Sequence, residues 1–210
     1  MSTSPTTVVF DLGGVLIDWD PRHLYRRLFD GDEAAMERFL AEVCTLAWNE
    51  RQDAGRPWRI GVEELARRHP DQRALIEAYD ERWPEMLGGA REDSVAILGE
   101  LRAAGVPCYA LSNWSAEKFP VARARYAFLG WFDGIVISGD VGVTKPDPLI
   151  YQRFLERHAV DPASAVFVDD TPANVAAAAA LGMTGLRFVD PDALRGDLRR
   201  LGFPIAAAAR

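Results

Sequence analysis

A chain of 210 residues can hold one sizeable core and a smaller appended unit, and 49% hydrophobic with 26% charged residues is ordinary for a globular protein. The formal net charge of −7 argues against a duplex-sized nucleic-acid partner, because residues 18–88 set 11 Arg against 16 Asp and Glu and the remainder is acidic as well. No apolar run approaches the ~18 residues of a membrane span and the short polar start has no signal-peptide pattern, so the expected location is the cytoplasm, with no membrane partner.

In chain order, residues 8–10 form a short apolar run that predicts a buried strand ending at Asp11. Gly13 and Gly14 interrupt it and Val15, Leu16 and Ile17 resume it. From residue 18 to about 88 the texture turns helical. Leu24, Leu28, Met36, Phe39, Leu40 and Val43 recur at helical spacing, Asp20-Pro21 reads as a cap with a first-turn proline, and Asp71 as the cap of a second long helix reaching Trp83-Pro84. No strand is expected in this block. Beyond Gly88-Gly89, predicted helices at 91–104, from 115, from 147, at 172–181 and at 191–201 alternate with strands at 106–111, 134–138, 166–168 and 185–189. Such alternation predicts an α/β fold with a parallel sheet covered on both faces. The helical block follows the first strand, so residues 1–17 and 89–210 are expected to form a Rossmann-like core, and residues 18–88 an inserted all-helical cap domain. Cys44 and Cys108 stand far apart with no CxxC spacing and read as reduced core thiols, with a disulfide left open; His23, His69 and His158 are scattered and suggest no His-based metal site.

Ligands of an open parallel sheet gather at the carboxyl ends of its strands. Four polar signals fall there: Asp11, Ser112-Asn113, Lys145 and Asp169-Asp170. Asp11 before two glycines is either an Asx-turn or a carboxylate aimed into the crevice, with Gly13 and Gly14 allowing close backbone approach to a small anion. Two adjacent carboxylates at a buried strand end repel unless a cation compensates, and a hard divalent ion such as Mg²⁺ suits oxygen ligands. The alternative is that Asp170 or Thr171 caps the next helix; both hold if one Asp meets the metal and the other orients Lys145 or a metal-bound water. Lys145 is one of two lysines against 22 arginines, which suggests a need for a compact point charge; a plain loop lysine is the rival reading. Ser112 and Asn113 offer a hydroxyl and an amide before a helix start that favours anions, or serve as ordinary caps.

These stretches resemble the haloacid dehalogenase superfamily along nearly the whole chain: residues 8–15 (VVFDLGGV), 110–113 (ALSN), 144–148 (TKPDP) with Ile150 and Tyr151, and 166–170 (VFVDD) with Asn174. Among relatives the chain looks most like bacterial glucose 1-phosphate phosphatases and the N-terminal phosphatase domain of soluble epoxide hydrolases. The resemblance implies a Mg²⁺-dependent phosphatase acting on a small phosphorylated metabolite through an aspartyl-phosphate on Asp11. It implies that Asp11, the Gly13 carbonyl and Asp170 hold the metal with Asp169 at one remove. Ser112, Asn113 and the backbone at Gly14 would bind phosphoryl oxygens, and Lys145 would neutralise the nucleophile and the transferring group. Most phosphatases of the superfamily carry Asp two places after the nucleophile as general acid and base; Gly13 stands there, which leaves leaving-group protonation to Asp18, Asp20 or a cap residue. The same departure opens two alternatives, a metal-independent 2-haloacid dehalogenase and a non-catalytic phosphate-binding or regulatory module. Trp19, Trp48, Trp58 and Trp83, with Arg22, Arg51 and Arg56, read either as substrate contacts or as cap core and solvated face. Hinges are expected at 17–19 and 87–89, and the chain is expected to be a monomer or homodimer.

Overall fold

The computed structural model describes residues 5–206. Thr7–Phe10 (β1) is buried throughout, as the β-branched and aromatic run requires. Its neighbours are Cys108–Ser112 (β4), Gly134–Ile137 (β5), Ala165–Asp169 (β6) and Thr184–Arg187 (β7). They form one parallel sheet in the order β5-β4-β1-β6-β7. Alternate residues feed opposite faces. Val8, Phe10, Ala110, Val166 and Val168 join one core cluster; Val9, Leu111, Val136, Ala165 and Phe167 join the other. Phe10 pairs with both Ala110 and Val168, so the chain leaves β1, β4 and β6 at one level of one edge. That register, with the order reversing at β1, places Asp11, Ser112 and Asp169 side by side.

Glu92–Ala103 (α6) and Pro191–Arg200 (α11) contribute to the first cluster; Pro148–His158 (α9) and Pro172–Ala180 (α10) cover the second. Asp147 and Asp190 cap α9 and α11 by accepting from Leu149 N–H and Ala193 N–H. Cys44 and Cys108 are both buried and unpaired. No helix among the described residues is long and apolar enough to cross a membrane.

The segment between β1 and α6 departs from expectation at its edges. Ile17–Trp19 (β2) and Leu87–Ala90 (β3) pair antiparallel, so residues read as helical block or hinge form a short two-stranded ribbon. Strands of three and four residues with a register shift at Asp18/Trp19 carry too little alternation to be seen in sequence. Between them lie Arg22–Leu28 (α1), Glu33–Glu42 (α2), Leu46–Asp53 (α3), Trp58–Arg68 (α4) and Arg73–Glu81 (α5). Asp71 does not cap α5. It lies inside a 3₁₀ turn, Pro70–Gln72, and a second such turn, Trp83–Met86, follows Arg82. Pro84 cannot donate to a continuing helix, which accounts for the early end. Trp48, Trp58 and Tyr79 pack as a trio with ring centroids 5.2–5.7 Å apart, so the first two are core. Arg22 and Arg56 pair with Glu37 and Glu64. Buried residues of these helices belong to the same cluster as Val8 and Phe10, so the helical segment and the sheet share one core.

Candidate active site

Asp11 is the first residue past β1; its N–H still donates to Val168 O (2.8 Å), which holds it at the sheet edge. Its Oδ1 accepts from Leu12 N–H (2.7 Å), Ser112 Oγ–H (2.6 Å) and Lys145 Nζ (3.0 Å). The other oxygen, Oδ2, has no hydrogen bond among the described residues. Lys145 is 2% exposed and spends its three donors on Leu111 O (3.0 Å), Asp169 Oδ2 (2.6 Å) and Asp11 Oδ1. Its loop is clamped by Asn113, whose Nδ2 donates to Lys145 O (3.0 Å) while its Oδ1 accepts from Lys145 N–H (2.7 Å). The helix expected after Asn113 starts only at Phe119–Arg125 (α7), with Lys118 at its N-cap, so its N-terminus does not adjoin Ser112. Ser112 and Asn113 cap nothing; the one bonds to Asp11 and the other holds a loop.

Asp169 is fully buried, and its oxygens are already engaged. Thr171 N–H and Asn174 Nδ2 donate to Oδ1 (2.8 and 3.0 Å), and Lys145 and Asn174 to Oδ2 (2.6 and 3.1 Å). Neither Asp170 nor Thr171 caps α10 by side chain. Asp170 is exposed and lies over Gly14, where a Cβ would overlap its Oδ2. Gly14 also sits at φ 75°, a left-handed conformation costly to other residues. Gly14→Ala is therefore expected to lower stability by about 1–2 kcal/mol from backbone strain alone, read by urea denaturation.

Asp11, Asp169 and Asp170 each offer an oxygen within 4.8 Å of the others. Burial pushes the Asp11 carboxyl up, against the pull of the Lys145 ammonium, and Asp169 adds to the rise. Burial also works against the charge of Lys145, but Asp11 and Asp169 outweigh it and hold the ammonium above its ordinary value. The Asp170 carboxyl, though exposed on one side, is raised by partial desolvation and then by the charge of Asp169. Three carboxylates against one ammonium leave the fully ionised cluster at −2, the charge a divalent cation balances. The donor set, all oxygen, suits a hard ion.

Beside this cluster opens a cavity of about 50 Å³, room for a few waters. Gly13 and Asn113 form its sheet side, with Trp114; Trp19 and Trp83 come from the ribbon and the turn before it, and Asn49 and Asp53 from α3. Trp83 and Trp114 pack ring to ring at 5.7 Å. Three polar atoms of these residues lack a partner among the described residues: Trp19 Nε1, Trp114 Nε1 and Asn49 Oδ1. Burial pushes the Asp53 carboxyl up to about 7; Ser115 N–H opposes this and Glu50 adds to it. Asn49 Nδ2 donates to Asp53 Oδ2 (2.7 Å). Contacts from the inserted helices to the segments after β4 and β5 hold this side together: Ser138 Oγ, at the start of Ser138–Val141 (α8), donates to Asp53 O (2.6 Å), and Trp58 Nε1 to Ser115 Oγ (2.9 Å).

Asp18 and Asp20 are engaged elsewhere. Asp18 Oδ2 meets His23 Nε2 at 2.9 Å, and Asp20 Oδ1 accepts from Arg22 N–H at 2.8 Å. Neither Arg22, Arg51 nor Arg56 lines the cavity, whereas Trp19 and Trp83 do. Asn49, Asp53 and Trp114 escape sequence reading. Their one signal is that α3 buries Asn49 and Gln52 beside Trp48, a polar face where an apolar stripe is expected.

Comparison with known proteins agrees with the geometry. Residues 5–182 match the family model described as haloacid dehalogenase-like hydrolase. The sesquiterpene phosphatase astK of Aspergillus oryzae is 29% identical over 204 residues, 96% of this chain and 98% of that protein. A phosphoglycolate phosphatase of Rhodospirillum rubrum is 30% identical over 192 residues, 85% of this chain and 77% of its own. A haloacid dehalogenase family enzyme of Bacteroides thetaiotaomicron, solved with magnesium and inorganic phosphate, superposes with a TM-score of 0.66 at 21% identity, covering 87% of this chain and 93% of that one. The chain belongs to the haloacid dehalogenase-like hydrolases.

Proposed function

We propose that this hydrolase is a Mg²⁺-dependent phosphatase that cleaves a small phosphate monoester through an aspartyl-phosphate on Asp11. The observation that carries the reading is the convergence of Asp11, Asp169, Asp170 and Lys145 at one sheet edge with a shortfall of two positive charges. Asp11, the Gly13 carbonyl and Asp170 would hold the ion. Asp169, whose oxygens already accept from Lys145, Asn174 and Thr171, positions the lysine instead. Bound Mg²⁺ supplies the positive charge that lets an anionic ester approach an anionic nucleophile. Asp11 Oδ2, which has no hydrogen bond among the described residues, is the attacking atom. The Asn113 backbone N–H takes a phosphoryl oxygen, and Ser112 Oγ and Lys145 Nζ join it by giving up their bonds to Asp11 Oδ1; the Gly14 N–H expected to help is instead committed to Ile17 O (2.9 Å). Relatives named as phosphatases support the reaction class.

The helical segment, residues 18–88, acts as a cap over a core of residues 1–17 and 89–210, with the ribbon β2-β3 joining the two. Its cavity receives the leaving group. No Lys or Arg lines it, so it does not favour a second anionic group, and the indoles of Trp19, Trp83 and Trp114 suit an uncharged one. Turnover of a phosphomonoester panel, with and without Mg²⁺, tests the proposal. Activity is expected only with the metal, and EDTA is expected to remove it by at least about 10²-fold, with recovery on adding Mg²⁺. Release of chloride from 2-chloropropionate in EDTA would overturn it in favour of carbon chemistry. Phosphate binding without turnover of any ester would leave a binding module.

A further inference from the structure

An alkoxide leaving from phosphorus needs a proton, and the residues around Asp11 cannot give one. Gly13 has no side chain. Lys145 has its three donors committed, Ser112 bonds to Asp11, and Asp169 only accepts. Asp18 and Asp20 bond elsewhere. The cavity that would hold the leaving group has one acidic wall, Asp53, and it includes Gly13, two residues from Asp11. A Cβ built on Gly13 meets nothing within 4 Å, so the space between the nucleophile's loop and the cavity is open. In so small a cavity a leaving group rests against its walls.

We infer that Asp53 is the proton donor to the leaving-group oxygen and the proton acceptor from the water that hydrolyses the aspartyl-phosphate. The assignment rests on the phosphatase reading above. Its carboxyl is set by Asn49 Nδ2, and its backbone carbonyl is tied to Ser138, so α3 is fixed to the sheet side at this residue. Burial keeps a proton on it near neutral pH; Glu50 on the same helix is the charged neighbour that adds to this, and Tyr79 on α5 is the other titratable group that senses it. In the first step Asp11 Oδ2 bonds to phosphorus, the phosphorus–oxygen ester bond breaks with its electron pair on the leaving oxygen, and that oxygen takes the Asp53 proton. In the second step water attacks phosphorus, Asp53 takes the water's proton, and the phosphorus–Asp11 bond breaks to release phosphate and restore both side chains.

The test compares p-nitrophenyl phosphate, whose leaving group needs no proton, with alkyl phosphates that do. Asp53→Asn keeps shape and hydrogen-bonding capacity, and its loss in kcat/KM is expected to be at least tenfold greater on the alkyl ester, within the ~10²–10⁴-fold of general acid catalysis. Slowed dephosphorylation should appear as a burst of p-nitrophenol of about one per enzyme. Asp53→Ala is the second variant and should show the same ratio. Equal losses on both substrates, no burst, or wild type inert on every alkyl phosphate would overturn the assignment. If wild type is inert on p-nitrophenyl phosphate as well, the phosphatase reading itself fails.

Discussion

Asp11→Asn is expected to lower turnover of any phosphate ester by roughly 10⁴-fold or more, because an amide is not a nucleophile toward phosphorus and no neighbour can substitute. Ser112 Oγ is the nearest hydroxyl, yet its proton goes to Oδ1 of residue 11 at 2.6 Å, an acceptor that an asparagine carbonyl retains, so the hydroxyl stays bonded and does not take over as nucleophile. The fold should survive. An asparagine is nearly isosteric and still accepts from Leu12 N–H and Lys145 Nζ through its carbonyl oxygen. Removing one carboxylate also reduces repulsion within a cluster left at −2 without a cation. A second readout separates chemistry from folding. A ligand that binds only the native state raises the melting temperature by mass action, so millimolar Mg²⁺ should stabilise wild type, and Asp11→Asn should lose most of that shift. A variant that keeps both turnover and the full Mg²⁺ shift would remove Asp11 from the site altogether.

The sheet and the site were unequally legible. Strands buried on both faces are short apolar runs, and those of β1, β4 and β6 stand out against the polar text around them. Because a parallel sheet puts every strand's carboxyl end on one edge, Asp11, Ser112 and Asp169 could be placed together from chain order alone. The roles within the cluster needed geometry. Sequence does not say that Asn113 clamps the Lys145 loop, or that Asn174 and Thr171 occupy the oxygens of Asp169 while its neighbour Asp170 stands exposed. The helical segment was less legible. Its Trp and Arg residues read either as substrate contacts or as core and solvated face, and the structure divides them: Trp48 and Trp58 pack into core and Arg22 and Arg56 pair with glutamates, while Trp19 and Trp83 line the cavity. The cavity is lined instead from four separate stretches of chain, a convergence no local pattern encodes.

Lys145→Met should damage stability and activity together, and the pairing is informative. Its ammonium lies 2.6 Å from Asp169 Oδ2 and 3.0 Å from Asp11 Oδ1 with almost no water contact. Removing one member of a buried ionic cluster leaves the others uncompensated, which costs about 3–5 kcal/mol in typical cases. Methionine fills the volume and can still pack on Phe167, whose ring lies 5.4 Å from Nζ, so the loss reports charge and not a cavity. Lys145→Arg should fail too. Three acceptors, Leu111 O, Asp11 Oδ1 and Asp169 Oδ2, surround a single nitrogen, a geometry for a compact ammonium and not for a planar fork. If the same carboxylates hold a divalent ion, Mg²⁺ must rescue part of the Lys145→Met stability loss, since it supplies the missing positive charge, while turnover remains down by at least about 10²-fold because the transferring phosphoryl group still lacks its ammonium partner. Urea denaturation of the variant with and without Mg²⁺ reads the rescue. No stabilisation by the metal, in a variant whose carboxylates face each other with no ammonium between them, would mean that these side chains do not form a cation site.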